Sequence, residues 1–153
     1  MTILIIIGSL IGVLYPLMKG YFRVAHDTDR FVGAKTINAV IKAYYTDHES
    51  YPIFPPELLD ESGFTHGCSN YSTGFTWDQT ITPIMIQYTG KSPTDRIGEW
   101  PLCYMYKNGA YPNCLGSVGY ALIFGTEGVR SDLKKYSVQG DDPSVHRYCL
   151  TDE

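Results

Sequence analysis

The chain of 153 residues has no charged residue before Lys19 and no acidic residue before Asp27. It lacks a C-x-x-C pair, an H-E-x-x-H helix, a G-x-S-x-G elbow and a phosphate-cradling glycine loop. Its four histidines, His26, His48, His66 and His146, share no ligand spacing, and His26 is placed on a polar helix face. The expectation is a protein that is not an enzyme and holds no resident cofactor. A basic excess is missing too: the formal net charge is −4. Phosphate backbones are held by clustered Lys and Arg, so overall charge argues against a nucleic-acid partner.

What is present begins at once. In "MTILIIIGSLIGVLYPLM", thirteen of eighteen residues are Met, Ile, Leu, Val or Tyr, and the others are Thr2, Gly8, Ser9, Gly12 and Pro16. A core helix of a soluble domain shows polar positions at helical spacing, whereas this run is apolar all round. At ~1.5 Å per residue it crosses most of a ~30 Å hydrocarbon layer. A secretory signal would place a basic segment before the run and a small-residue cleavage site after it, and "PLMKGYFR" is a poor site. Lys19 and Arg23 lie on the C-terminal side, which taken alone keeps the remainder cytoplasmic. Four cysteines without C-x-x-C spacing, in a region rich in Tyr, Gly and Pro, point instead to disulfides in an oxidising compartment. Removal of a basic leader ahead of Met1 reconciles the two.

Beyond Lys19 the helical period continues. Phe31, Ala34, Ile37, Val40 with Ile41, and Tyr44 with Tyr45 form one apolar stripe, with Asp27, Asp29, Arg30, Lys35 and Lys42 among the rest. Pro52 biases Tyr51 away from helical angles, so the helix is expected to run from residue 2 to about residue 48, about 70 Å. Its first half asks for apolar surroundings on every side and its second half on one stripe only. Pro16 removes a backbone donor, and a loosening or kink is expected between Gly8 and Pro16.

This run of β-branched and Leu residues broken by Gly8, Gly12 and Pro16, followed by Tyr21, an amphipathic stretch and "AYYTDHESYP", resembles the N-terminal spine of type IV pilins and type II secretion pseudopilins. Further on, "TPIMIQYTGKSPTDR", "CYMYKNG" and "VGYALIFGTEG" are similar to the turn-then-strands layout of pseudopilin-like heads. The resemblance implies cleavage of a short basic leader and assembly of identical subunits through Met1, Gly8, Gly12 and Pro16. One departure stands out. The family's glutamate near the start of the mature helix has no counterpart in residues 1–18.

The expected fold class is therefore α+β: a long N-terminal helix packed on a small antiparallel sheet. Residues 1–52 make the spine, with 1–18 as membrane or filament-core segment and 19–52 as the half that packs on the head, and residues 53–153 make one disulfide-bonded head. Within the head, "FPPELLDESGF" suggests a helical turn, Thr65 to Gln79 a long loop, and "TPIMIQYTG" a short helix ending at Gly90. Strands are expected at "LCYMY", "YALIF", "KKYSV" and "HRYCL". Thirteen tyrosines are accounted for by packing and surface amphipathicity.

Four cysteines allow three pairings. Asn108-Gly109 is a hairpin signal, and Cys103 and Cys114 are symmetric about it, which favours Cys103–Cys114 with Cys68–Cys149. The pairing of 68 with 103 and 114 with 149, each separated by 35 residues, stays open. Two weaker candidates remain. Asp141 and Asp142 in "GDDPS" offer carboxylates to calcium, which the family resemblance favours slightly and a plain surface turn explains better. Asn70-Tyr71-Ser72 is a glycosylation-type sequon.

Between Lys19 and Tyr45 the formal charge is +3, which leaves −7 for the rest of the chain. Acidic heads and basic stems then attract across subunits. The functional expectation is a structural subunit of an extracellular type IV pilus-like filament, held in the inner or cytoplasmic membrane and handled by a pilus assembly machine before polymerisation. The alternatives are a pseudopilin forming a short periplasmic piston, and a monomeric membrane-anchored ectodomain that binds a ligand.

Overall fold

The computed structural model describes residues 2–67, 76–91, 102–139 and 145–152; within the first helix, side chains are described at residues 12, 14 and 15 and from residue 18 onward. That helix, α1, runs Thr2–His48 without interruption at Pro16. The loosening expected between Gly8 and Pro16 does not break the helix. After Glu49, which adopts a positive φ of 54°, the chain turns through Tyr51 and Pro52 into the head.

The head is a four-stranded antiparallel sheet in the order β1 (Thr65–His66), β2 (Met105–Asn108), β3 (Tyr120–Thr126) and β4 (His146–Leu150). A second helix, α2 (Ile81–Thr89), packs beside α1, and the Tyr88 hydroxyl donates to Asp47 Oδ2 at 2.6 Å. α2 ends at Gly90, whose left-handed φ of 74° suits a residue without a Cβ and whose N–H donates to the Ile86 carbonyl. The long N-terminal helix on a small antiparallel sheet is an α+β arrangement consistent with the pilin-like fold.

Period-two alternation along β3 sorts the core into two layers. Tyr120, Leu122 and Phe124 face α1 with Tyr104, Tyr106, Tyr148 and Leu150, and meet Ala34, Ile37, Val40 and Ile41. Ala121 and Ile123 face the other way, toward Phe64, Met105, Cys114 and Cys149. All seven residues of β3 are buried, which identifies it as the strand around which the head condenses. Each fully buried Ile or Leu contributes about 1.5–3 kcal/mol, so this seam fixes the sheet to the second half of α1.

The sequence anticipated β3, β4 and α2, and three details differ. "KKYSV" is not a ladder strand: Ser131–Tyr136 is a 3₁₀ helix, and only Ser137 bridges to Tyr148. Asn108-Gly109 does not close a two-residue hairpin, because Asn108 pairs with Tyr120 and the chain between them makes its own turns, Cys114 N–H to Tyr111 O and Ser117 N–H to Cys114 O. Pro112 lies in that excursion, where no ladder donor is asked of it. Thr65 and His66, expected in a loop, form the short edge strand β1.

The hairpin correction carries the disulfide correction with it. Cys114 bonds to Cys149, with Cα atoms 5.8 Å apart, so Cys103–Cys114 and Cys68–Cys149 are both overturned. Cys103 is buried and disulfide-bonded as well. Cys68 itself lies outside the described residues. Because the return strand starts at Tyr120 rather than beside Asn108, Cys114 sits in the excursion over the outer face of the sheet, within reach of β4.

Candidate functional site: an uncovered helix and its neck

The surroundings of α1 change abruptly along its length. Ala34 and Ile37 are 0% exposed, whereas Tyr21 is 77% and Phe22 57% exposed. Leu14, Tyr15, Met18 and Val24 are likewise open. These large apolar side chains spread over about half the circumference of the helix, where the head does not cover it. Among the described residues no helix is long and apolar enough to cross a membrane; most side chains of the 1–18 segment expected to do so fall outside that description. Of the assembly residues, Met1 lies outside the described residues, Gly8 and Pro16 are described only as helical backbone, and Gly12 is exposed with nothing within 4 Å of a Cβ placed there.

The boundary between the two halves is held by a buried ionic knot. Asp27 and Arg30 are 2% and 3% exposed, with Arg30 Nη1 3.1 Å from Asp27 Oδ1. Asp27 also accepts the backbone N–H of Glu127 at 2.7 Å and of Gly128 at 3.3 Å, from the turn after β3. Glu127 in turn lies 3.5 Å from Arg30, 3.7 Å from Arg23 and 3.4 Å from His26. The Tyr104 hydroxyl donates to the Arg30 carbonyl. A buried carboxylate is tolerable here because both of its oxygens meet donors, and the result pins the helix to one turn of the head. The sequence reading placed Asp27 and Arg30 on the polar face. Their i, i+3 spacing at the start of the apolar stripe was the available signal.

At the opposite end of the docked half, an aromatic and amide clamp closes the corner. Tyr45 stacks on Tyr51 with centroids 4.5 Å apart, and Tyr51 packs on Tyr120 at 4.8 Å. Asn108 Nδ2 donates to the Tyr51 and Pro52 carbonyls, and the Tyr106 hydroxyl donates to Pro52 O. Asp152 accepts the N–H groups of Val118 and Gly119. Gly119 must be glycine here, since a Cβ would lie 2.1 Å from the Tyr51 ring. Burial pushes the Tyr106 and Tyr120 phenols well above their ordinary range, so both stay neutral and serve as donors.

Chemistry of other kinds is sparse. His66, 1% exposed, pairs with Asp60 (Nε2 to Oδ2, 2.7 Å), and Asp60 Oδ1 accepts the N–H groups of Ser62 and Phe64. This pair clamps the loop that enters β1, beside a cavity of about 120 Å³ that Arg147 also lines. His26 sits on the polar face as expected, next to Glu127. Among the described residues no group of three or more His, Cys, Asp or Glu could hold a metal. The calcium candidates Asp141 and Asp142 and the sequon at Asn70 lie outside the described residues.

The arrangement presents an open stretch of helix from a disulfide-bonded head. Compared with known protein families, with curated proteins and with solved structures, the chain matches none of them.

Proposed function

We propose that this chain is a structural subunit, similar to type IV pilins, that polymerises through the first half of α1 into an extracellular filament. The observation that carries the reading is the row Leu14, Tyr15, Met18, Tyr21, Phe22 and Val24, left open on the same helix whose next turns are buried. Apolar surface of this extent is costly in water, at roughly 25 cal/mol per Å². Before assembly lipid covers the rod, and in the filament identical copies take its place. Subunits joined by a rotation that does not close give an open polymer. The partners are thus other copies of the chain and the machine that extracts them from the inner or cytoplasmic membrane. The protein carries no catalytic duty in this reading.

Negative-stain electron microscopy of material sheared from cells making the chain tests it. Long filaments labelled by an antibody to the head are the expected result. Short assemblies confined to the periplasm would move the assignment to a secretion pseudopilin. Single molecules that stay in the bilayer under every condition would overturn it.

A further inference from the structure

One surface of the head is basic in a chain that is acidic as a whole. A groove of about 600 Å³ runs between the docked half of α1 and the edge strand β4. Lys35 and Lys42 rise from the helix wall and Lys135 from the 3₁₀ helix, over an apolar floor that includes Leu115 and Leu150; among the described residues no Asp or Glu lines it. The Lys35 and Lys135 ammonium groups lie 4.8 Å and 4.7 Å over the Phe31 and Tyr136 rings, which positions them without cancelling their charge. Neither has a carboxylate partner among the described residues. Leu115, 69% exposed, leaves the floor open.

The complementary surface stands at the other edge of the same sheet. The turn "PELLDES", residues 56–62, leads into edge strand β1 and exposes Glu57 and Glu61 on either side of Leu58 and Leu59. Neither glutamate has a cation partner among the described residues. Acid, leucine, leucine and acid on one edge match lysine, apolar floor and lysine on the other. Because the sheet order is β1-β2-β3-β4, one molecule cannot bring its own two edges together.

We infer that the lysine groove at the β4 edge receives the Glu57–Glu61 turn of a second copy, making a head-to-head contact between unlike surfaces. Such a heterologous contact propagates without closing, and it rests on the filament reading above. Three lysines over an apolar floor fit a peptide turn that carries acids beside leucines. A nucleic-acid strand would also meet the repulsion of a chain with net charge −4.

The test uses full-length chain assembled on cells. Zero-length carbodiimide coupling of sheared filaments, followed by peptide mass spectrometry, should join Lys35 or Lys135 of one copy to Glu57 or Glu61 of another. The double variants K35E/K135E and E57K/E61K should each lower filament yield about tenfold, and the quadruple variant should restore it. The recovery separates a lost contact from a lost fold. Filaments that form without these cross-links, or a quadruple variant no better than the doubles, overturn the groove contact and leave the filament reading standing. Retention of duplex DNA by the wild-type chain, lost in K35E/K135E and without the cross-links, overturns it in favour of a nucleic acid. Absence of any wild-type polymer overturns the filament reading itself, and the contact with it.

Discussion

The two halves of α1 lie on one unbroken helix, yet a stripe of the second is sealed against the head while the described side chains from Leu14 to Val24 stand open. From Phe31 to Ile41 the residues Phe31, Ala34, Ile37, Val40 and Ile41 recur on one stripe and the sheet covers them. From Leu14 to Val24 the open apolar residues spread over about half the circumference, with Lys19, Gly20 and Arg23 on the remainder, and the head covers none of them. A stripe that meets the sheet is satisfied by folding, whereas a broad apolar face that the head leaves open can be satisfied only by something outside the molecule. The Asp27–Arg30 knot marks where one regime gives way to the other.

Breaking that knot should have the largest effect. Asp27→Ala leaves the Arg30 guanidinium without its buried carboxylate and the Glu127 and Gly128 N–H groups without their acceptor, at a cost of about 3–5 kcal/mol. Asp29→Ala, exposed on the same helix turn, should leave stability unchanged. Urea titrations of the full chain in detergent, followed by tryptophan fluorescence from buried Trp77, read both.

Contrasting the halves directly comes next. Ile37→Ala opens a cavity under Leu122 and Phe124 in the shared core and should cost about 2–5 kcal/mol of head stability. Phe22→Ala should leave the denaturation midpoint where it is and reduce filament yield. Were Phe22→Ala to destabilise the head, or Ile37→Ala to spare it, the division of the helix into two regimes would fail. A smaller effect tests the corner at the end of the docked half. Gly119→Ala drives a methyl group into the Tyr51 ring and should cost about 1–3 kcal/mol, which Tyr51→Ala in the same chain should partly relieve.

Much of this comparison was legible in the residues. The helix limits followed from period and from Pro52, and the buried stripe at Ala34, Ile37, Val40 and Ile41 is the one the 3.6 spacing picks out. What escaped was non-local. Asn108-Gly109 has the composition of a tight hairpin, but Tyr120, Leu122 and Phe124 supply far more burial beside β2 than Ala110 to Cys114 would, so tertiary packing moved the return strand and took the disulfide with it. The Asp27 knot escaped for the same reason, since its acceptor role is defined by a turn a hundred residues further on. "KKYSV" has strand-like residues, yet two consecutive lysines and the Leu133 anchor suit a 3₁₀ turn at the edge of the sheet.

Acidification provides the smallest effect, one confined to the head. Burial holds the His66 imidazole below its ordinary pKa of 6.5, and its pairing with Asp60 only partly offsets this. The folded chain therefore binds this proton less readily than the unfolded chain. As pH falls through 6.5 the unfolded state takes up the proton first, so stability present above that pH is lost until the folded-state pKa is passed, where the loss levels off. Thermal melts of the wild-type chain from pH 8 to pH 5 should show this decline, and His66→Gln should flatten it while keeping a group that can donate to Asp60. An equal decline in His66→Gln would assign the dependence to another titrating group, and filament length that followed the same curve would tie the rod to the head more tightly than the two-regime division allows.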